Sequence, residues 1–241
     1  MQQYMVLHTV DPDSDGVWGD EHWAALTTWL NETIDAKVNM TGDPLRSHTD
    51  ATTVKVRDGQ VLVTDGPFAD TKEWISGYDV LQCASLDEAV SWAAKHPASL
   101  FGSAEVRALA GDPIDFPPGP VPEAVDGKTR YMMLVCTDPA VTPEDAAAAP
   151  PIDQWVANTD SRGVRVFGSQ LAEPAAARLV RVRDNQAIVT DGPFAETKEQ
   201  IAGFDVLDCA DLDEAIATAA AHPMAYAGLL EVRPFRPLRE D

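Results

Sequence analysis

A chain of 241 residues with 45% hydrophobic and 24% charged residues has the composition of a folded globular protein, which excludes disordered and fibrous classes. A formal net charge of -21, from 39 Asp and Glu against 18 Lys and Arg, excludes the basic stripe that nucleic-acid binding needs and repels anionic membranes. Residues 1–10 lack the basic start and long apolar run of a signal peptide, and no apolar stretch is long enough to span a bilayer. The expectation is a cytoplasmic protein with neither nucleic-acid nor membrane partners.

The organising feature is an internal repeat: Thr64–Pro97 aligns without a gap on Thr190–Pro223 at an offset of 126, with 24 of 34 positions identical. Identity continues at Val54–Asp58 against Val180–Asp184, and at Glu105–Arg107 against Glu231–Arg233, while the first 50 or so residues of each copy match far less. Between the copies lie Pro113, Pro117, Pro118, Pro120 and Pro122, a composition suited to a semi-rigid spacer. The reading is therefore a first module at 1–110, a proline-rich linker at 111–128 and a second module at 129–241.

Each copy opens on an apolar run, Tyr4–His8 or Tyr131–Val135, that reads as a buried strand. A helix is expected over Asp20–Ala36, where Trp23, Leu26, Thr27, Leu30 and Ile34 fall near helical spacing; in copy two, Pro150 and Pro151 break or shorten it. Hairpins follow at 53–64 and 179–190, turned by Asp58-Gly59 and Asp184-Asn185, then strands at 77–83 and 203–209. Ser85 with Glu88, and Asp211 with Glu214, are N-terminal capping pairs of a second helix, which ends at His96-Pro97 or His222-Pro223. A last strand at 104–109 or 229–233 gives the order β-α-β-β-β-α-β, a ferredoxin-like α+β module with an antiparallel sheet.

The motifs T-D-G-P-F-A-[D/E]-T-K-E, G-[Y/F]-D-V-L, x-L-D-E-A, H-P and E-V-R, each present twice, resemble the YCII-related family and its D-G-P-F branch. That resemblance implies two modules packed sheet to sheet as an intramolecular pseudo-dimer of the dimeric α+β barrel type, with a cleft between them and further homodimerisation still open. A few relatives resemble dehydrochlorinase-type lyases, and D-G-P-F members are often encoded beside extracytoplasmic-function sigma factors. Two function classes follow: a lyase or proton-transfer enzyme using neither cofactor nor metal on a small organic molecule in the cleft, or a non-catalytic ligand-binding or regulatory module in a sigma-factor pathway.

Candidate groups come from the motifs. Asp65 and Asp191 either cap the D-G-P-F loops or act in acid–base chemistry, with Lys72, Glu73, Lys198 and Glu199 as ligand contacts. Asp79 and Asp205 share a strand face with Leu81 and Cys83, or Leu207 and Cys209; burial there would raise their pKa values, unless each is a structural acid paired with arginine. By the family resemblance, His22 matches a histidine early in the first helix, and His96 or His222 replaces the family's Asp before the closing proline. A His22–His96 pair could then transfer protons in copy one, and His96 and His222 could contact a ligand, unless all are helix-end histidines near the surface. Copy two lacks a match for His22, and both copies lack that Asp. His8 and His48, unmatched in copy two, receive no role. The three cysteines lack metal-ligand spacing, and Cys83 and Cys209 read as small core residues. Five tryptophans, Trp18, Trp23, Trp29, Trp74 and Trp92, lie in copy one against Trp155 alone in copy two, so the first half could wall a pocket.

Overall fold

The computed structural model describes residues 1–10, 19–69, 73–111, 113–114, 124, 127–194 and 197–237. Trp18, Lys72 and most of the linker lie outside them. The first module comprises β1 (Gln2–Val10), α1 (Asp20–Asp35), β2 (Asn39–Pro44), β3 (Thr52–Arg57), β4 (Gln60–Asp65), β5 (Trp74–Cys83), α2 (Leu86–Lys95) and β6 (Gly102–Ala108). The second repeats this as β7 (Thr129–Thr137), α3 (Pro143–Ala147), α4 (Ile152–Ser161), β8 (Arg165–Gln170), β9 (Arg178–Arg183), β10 (Gln186–Asp191), β11 (Ile201–Cys209), α5 (Leu212–Ala220), α6 (Pro223–Ala227) and β12 (Gly228–Pro234).

Local chemistry accounts for most of these elements. The first helix of copy two is broken as its prolines require, with Pro151 capping α4. Ser85 Oγ accepts from Glu88 N at 3.2 Å while Glu88 Oε2 accepts from Ala84 N at 2.7 Å, so the capping pair satisfies two N–H groups that the helix leaves open. Both hairpin turns use positive φ, at Asp58 (51°) and Gly59 (71°), and at Asp184 (52°) and Asn185 (58°).

One strand per module escapes the sequence pattern. β2 and β8 carry Gly42 and Pro44, or Gly168, and so lack β-propensity, yet each pairs antiparallel with β5 or β11 at a sheet edge. The module order is thus β-α-β-β-β-β-α-β, one strand longer than expected.

The modules also exchange their hairpins. The strand orders are β10-β9-β6-β1-β5-β2 and β4-β3-β12-β7-β11-β8, so β9–β10 completes the first module's sheet and β3–β4 completes the second's. Each sheet is antiparallel, with Ala104 opposite Val180 and Leu230 opposite Val54 at the exchanged seams.

The sheets pack face to face over one apolar core holding Met5, Leu7 and Tyr78 from one and Leu134, Phe167 and Phe204 from the other. Their outer faces carry the helices, over separate cores around Trp29 and Trp155. The space between the modules, expected to hold a cleft, is filled by the central core in this region. The start of the linker joins that core through Ile114, whose N–H and C=O are both bonded by the Gln3 side chain, at 2.7 and 2.8 Å.

Candidate functional site

The D-G-P-F and E-V-R motifs meet across the exchange. Phe194 N donates to Glu105 Oε2 at 3.0 Å, and Phe68 N donates to Glu231 Oε2 at 3.0 Å, so the loop after each hairpin is latched by the opposite module. Each glutamate is paired with an arginine two residues on, Glu105 with Arg107 at 2.6 Å and Glu231 with Arg233 at 2.5 Å. Those arginines donate to Ile201 O at 2.7 Å and Ile75 O at 2.6 Å, where the opposite module's chain re-enters its sheet. Gly66 and Gly192, at φ of 102° and 97°, provide the left-handed turn that starts each loop.

Asp65 and Asp191 stand at exposed strand ends, Asp191 3.2 Å from Arg178. Lys198 is exposed and Glu199 half-buried. Glu73 is bonded by Thr9 Oγ1, Ser103 Oγ and Arg181, each at 2.7 Å. Burial pushes its carboxyl up, but these donors outweigh burial and leave it below the ordinary range. Since Arg181 lies on the exchanged hairpin, Glu73 fastens that hairpin too. His22 Nδ1 accepts from Gly19 N at 3.0 Å and its ring packs edge-on against Phe101 at 4.6 Å, so it caps α1.

A cavity lies elsewhere, beneath α1 on the outer side of the first sheet. Its volume is about 150 Å³. Trp23, Leu26, Leu30 and Ile34 of the predicted stripe of α1 form one wall, whereas Thr27 of that stripe is exposed; His8, Asp79 and His96 are among the lining groups. His8 Nε2 is 2.6 Å from Asp79 Oδ2, His96 Nε2 is 3.9 Å from the same oxygen, and the two imidazoles stack with centroids 3.9 Å apart. All three residues are buried.

The protons of this cluster can be placed by its bonds. His96 is the N-cap of the turn that follows it, and its Nδ1 accepts from Ala98 N at 3.1 Å; the proton of the neutral ring therefore sits on Nε2, facing Asp79. Burial, with His8 adding to it, holds His96 well below the ordinary histidine pKa, so it is neutral. Burial pushes the Asp79 carboxyl up, and the His8 bond pulls it part of the way back. With Nε2 bonded to Asp79, His8 retains a buried Nδ1 that has no partner among the described residues.

Two histidines and a carboxylate whose donor atoms lie within 4.8 Å also invite a metal. The geometry suits a proton better: His96 would have to ligate through the nitrogen that carries its hydrogen, and rings stacked 21° from parallel cannot both aim in-plane lone pairs at one ion.

The second module shows the same place rebuilt. Asp205 and His222 match Asp79 and His96, and Trp155 meets His222 edge-on at 4.6 Å as Trp29 meets His96 at 4.7 Å. Val135 stands where His8 does, and Arg165, in the place of Asn39, binds Asp205 Oδ1 through Nε at 2.7 Å. Burial still raises Asp205 to about 7 against the pull of Arg165, and burial followed by Arg165 lowers His222 to about 4. Sequence reasoning gave Asp79 and His96 candidate roles and left His8 aside. The signal was present as a polar residue on a buried strand whose partner in the repeat is valine.

Fold and site together define a tandem α+β protein built of two hairpin-exchanging modules, the first of which combines a buried His–Asp pair with the cavity described above. The chain belongs to the YCII-related domain family, whose model matches residues 2–110 and again 129–239. An uncharacterized protein of Rhizobium meliloti (strain 1021) is 46% identical over 68 residues, which cover 27% of this chain and 55% of that relative. This chain thus matches about half the relative's length. A heme-binding protein from Thermus thermophilus aligns over 98% of this chain and 92% of its own, at 8% identity and a TM-score of 0.45.

Proposed function

We propose that the protein is a proton-transfer enzyme of lyase or isomerase type, needing neither metal nor cofactor, that works on a small organic molecule in the first module's cavity. The supporting observation is the His8–Asp79 contact of 2.6 Å, which orients His8 and leaves its buried Nδ1 unpartnered beside the cavity. A buried nitrogen without a hydrogen-bond partner is unfavourable unless a ligand completes it. His8 Nδ1 is the base, Asp79 fixes the ring and stabilises its protonated form, and His96 Nε2–H supports the charge on Asp79. The second module, whose equivalent acid is bound by Arg165, serves as scaffold.

A thermal-shift screen of the full chain with small aromatic acids, lactones and halogenated ring compounds identifies ligands through their stabilisation of the folded state. Hits are then followed in D2O for exchange of carbon-bound hydrogen. Exchange is expected in the wild type and in His22→Ala, and is lost in His8→Asn. Equal exchange in His8→Asn overturns the assignment of the base, and saturable binding without exchange or turnover points to a binding module.

A further inference from the structure

The second module also reaches into the first module's cavity. After β12 the chain crosses the edge of the first sheet: Arg46 N donates to Pro234 O at 3.0 Å, Phe235 bridges Leu45, and Arg236 N donates to Pro44 O at 3.0 Å. The Phe235 ring packs 5.9 Å from Tyr78. This crossing fixes the backbone of Arg236, whose side chain lines the cavity while remaining solvent-exposed, at its mouth.

The reciprocal crossing exists at the other end of the molecule. Ala110 N donates to Gln170 O at 2.9 Å, and Leu109 bridges Leu171. The residue in Arg236's place there is Ala110, which carries no charge. The two halves therefore distribute cations in opposite ways: in the second an arginine binds the buried acid from within, while in the first the acid keeps its histidine and an arginine stands outside.

Most described arginines hold a carboxylate, and Arg236, like Arg46 and Arg183, does not. Arg57, Arg130, Arg165 and Arg181 each hold a carboxylate within 2.8 Å, as expected where acids outnumber bases 39 to 18. The Arg236 guanidinium makes no ion pair with any described residue. A second acid lining the cavity, Asp43, is raised to about 7 by burial, against Arg130, so near neutral pH it opposes an incoming anion with less than a full charge.

Building on the proposed proton-transfer role, we infer that the cavity takes a small cyclic or aromatic carboxylate, with the ring against α1 and its carboxylate on Arg236 of the second module. The apolar wall and the volume of about 150 Å³ fit one six-membered ring, since an apolar cavity of about that size binds benzene. A planar guanidinium suits a carboxylate through two parallel N–H···O bonds. The ring is then placed with one end anchored at the mouth and the other toward His8 and Asp79.

The test titrates the full chain with benzoate and with its neutral analogue benzyl alcohol, read by calorimetry and by Trp fluorescence, in wild type, Arg236→Gln, Arg236→Lys and Leu30→Trp. The expected result is that Arg236→Gln weakens benzoate about tenfold and leaves benzyl alcohol unchanged, that Arg236→Lys recovers part of the loss, and that Leu30→Trp blocks both. Benzoate binding that is absent, or equal in wild type and Arg236→Gln, overturns the inference. Retained benzyl alcohol binding would then leave the cavity and the acid–base reading standing; no binding of either probe would remove both.

Discussion

The carboxyl of Asp79 is held by the His8 imidazole at 2.6 Å, whereas its counterpart Asp205 is held by the Arg165 guanidinium at 2.7 Å. Two of the positions at which the modules differ set these partners: His8 against Val135 and Asn39 against Arg165. His8→Val should therefore leave a buried acid without its partner and cost about 2 to 3 kcal/mol in chemical denaturation. Adding Asn39→Arg should restore most of that and abolish benzyl alcohol binding by occupying the cavity. Unchanged probe binding in the double variant would refute this account of the second module.

Gly42 tests the placement of Asp79. A Cβ at Gly42 would lie 2.0 Å from Asp79 Oδ1 and 2.8 Å from Tyr78 O, so Gly42→Ala must displace the carboxylate, the strand, or both. A loss of about 2 kcal/mol or more is expected, together with loss of ligand binding. Wild-type stability and binding in this variant would show that β2 has room to move.

The latch predicts a strong effect far from the cavity. Glu105→Ala removes the partner of a buried arginine and the acceptor of Phe194 N, and should cost about 3 to 5 kcal/mol. The half-chain 1–110, lacking the hairpin that pairs with β6, should elute as a dimer in size-exclusion chromatography, each copy lending the other its hairpin. A stable monomer would show that the exchange is optional.

His222 gives a pH dependence of defined sign. Its pKa falls from 6.5 to about 4 on folding, so its contribution is complete above pH 6.5 and disappears as pH falls through about 4. That contribution is on the order of 3 kcal/mol. His222→Asn keeps a capping acceptor but does not titrate; urea midpoints of the two proteins, compared between pH 7 and pH 4, should diverge in that window. Asp43 and Asp205, each raised to about 7, lose stability in the opposite direction as pH rises, and do so in both proteins. Parallel pH profiles would remove His222 from this role.

Burial also pushes the Cys83 and Cys209 thiols up to about 12. Both should resist thiol reagents at pH 8 until denaturant is added. Rapid labelling of the native protein would contradict their burial.

Capping pairs, turn residues and helical spacing act over a few positions, and the elements they govern were legible from Asp58-Gly59, Ser85 and Glu88. β2 was not, because Asn39–Pro44 owes its strand conformation to an edge of β5 rather than to its own residues. Hairpin exchange was hidden for a related reason: Val54 and Val180 read as the same strand whichever β6 or β12 they join. At the site, alternation put Asp79 on the correct face, but His8 needed the three-dimensional contact to reveal its use. Arg236 is reached only through the crossing of one module over the other.

The exchange of hairpins also sets a schedule for synthesis. On the ribosome, Val54 emerges early and waits for Leu230, its partner across the seam, while Ala104 waits for Val180. Until the later strands arrive, β3 and β6 present unpaired edges to their surroundings. Translation of the second half thus completes the first, and the pocket acquires Arg236 only once β12 has been made.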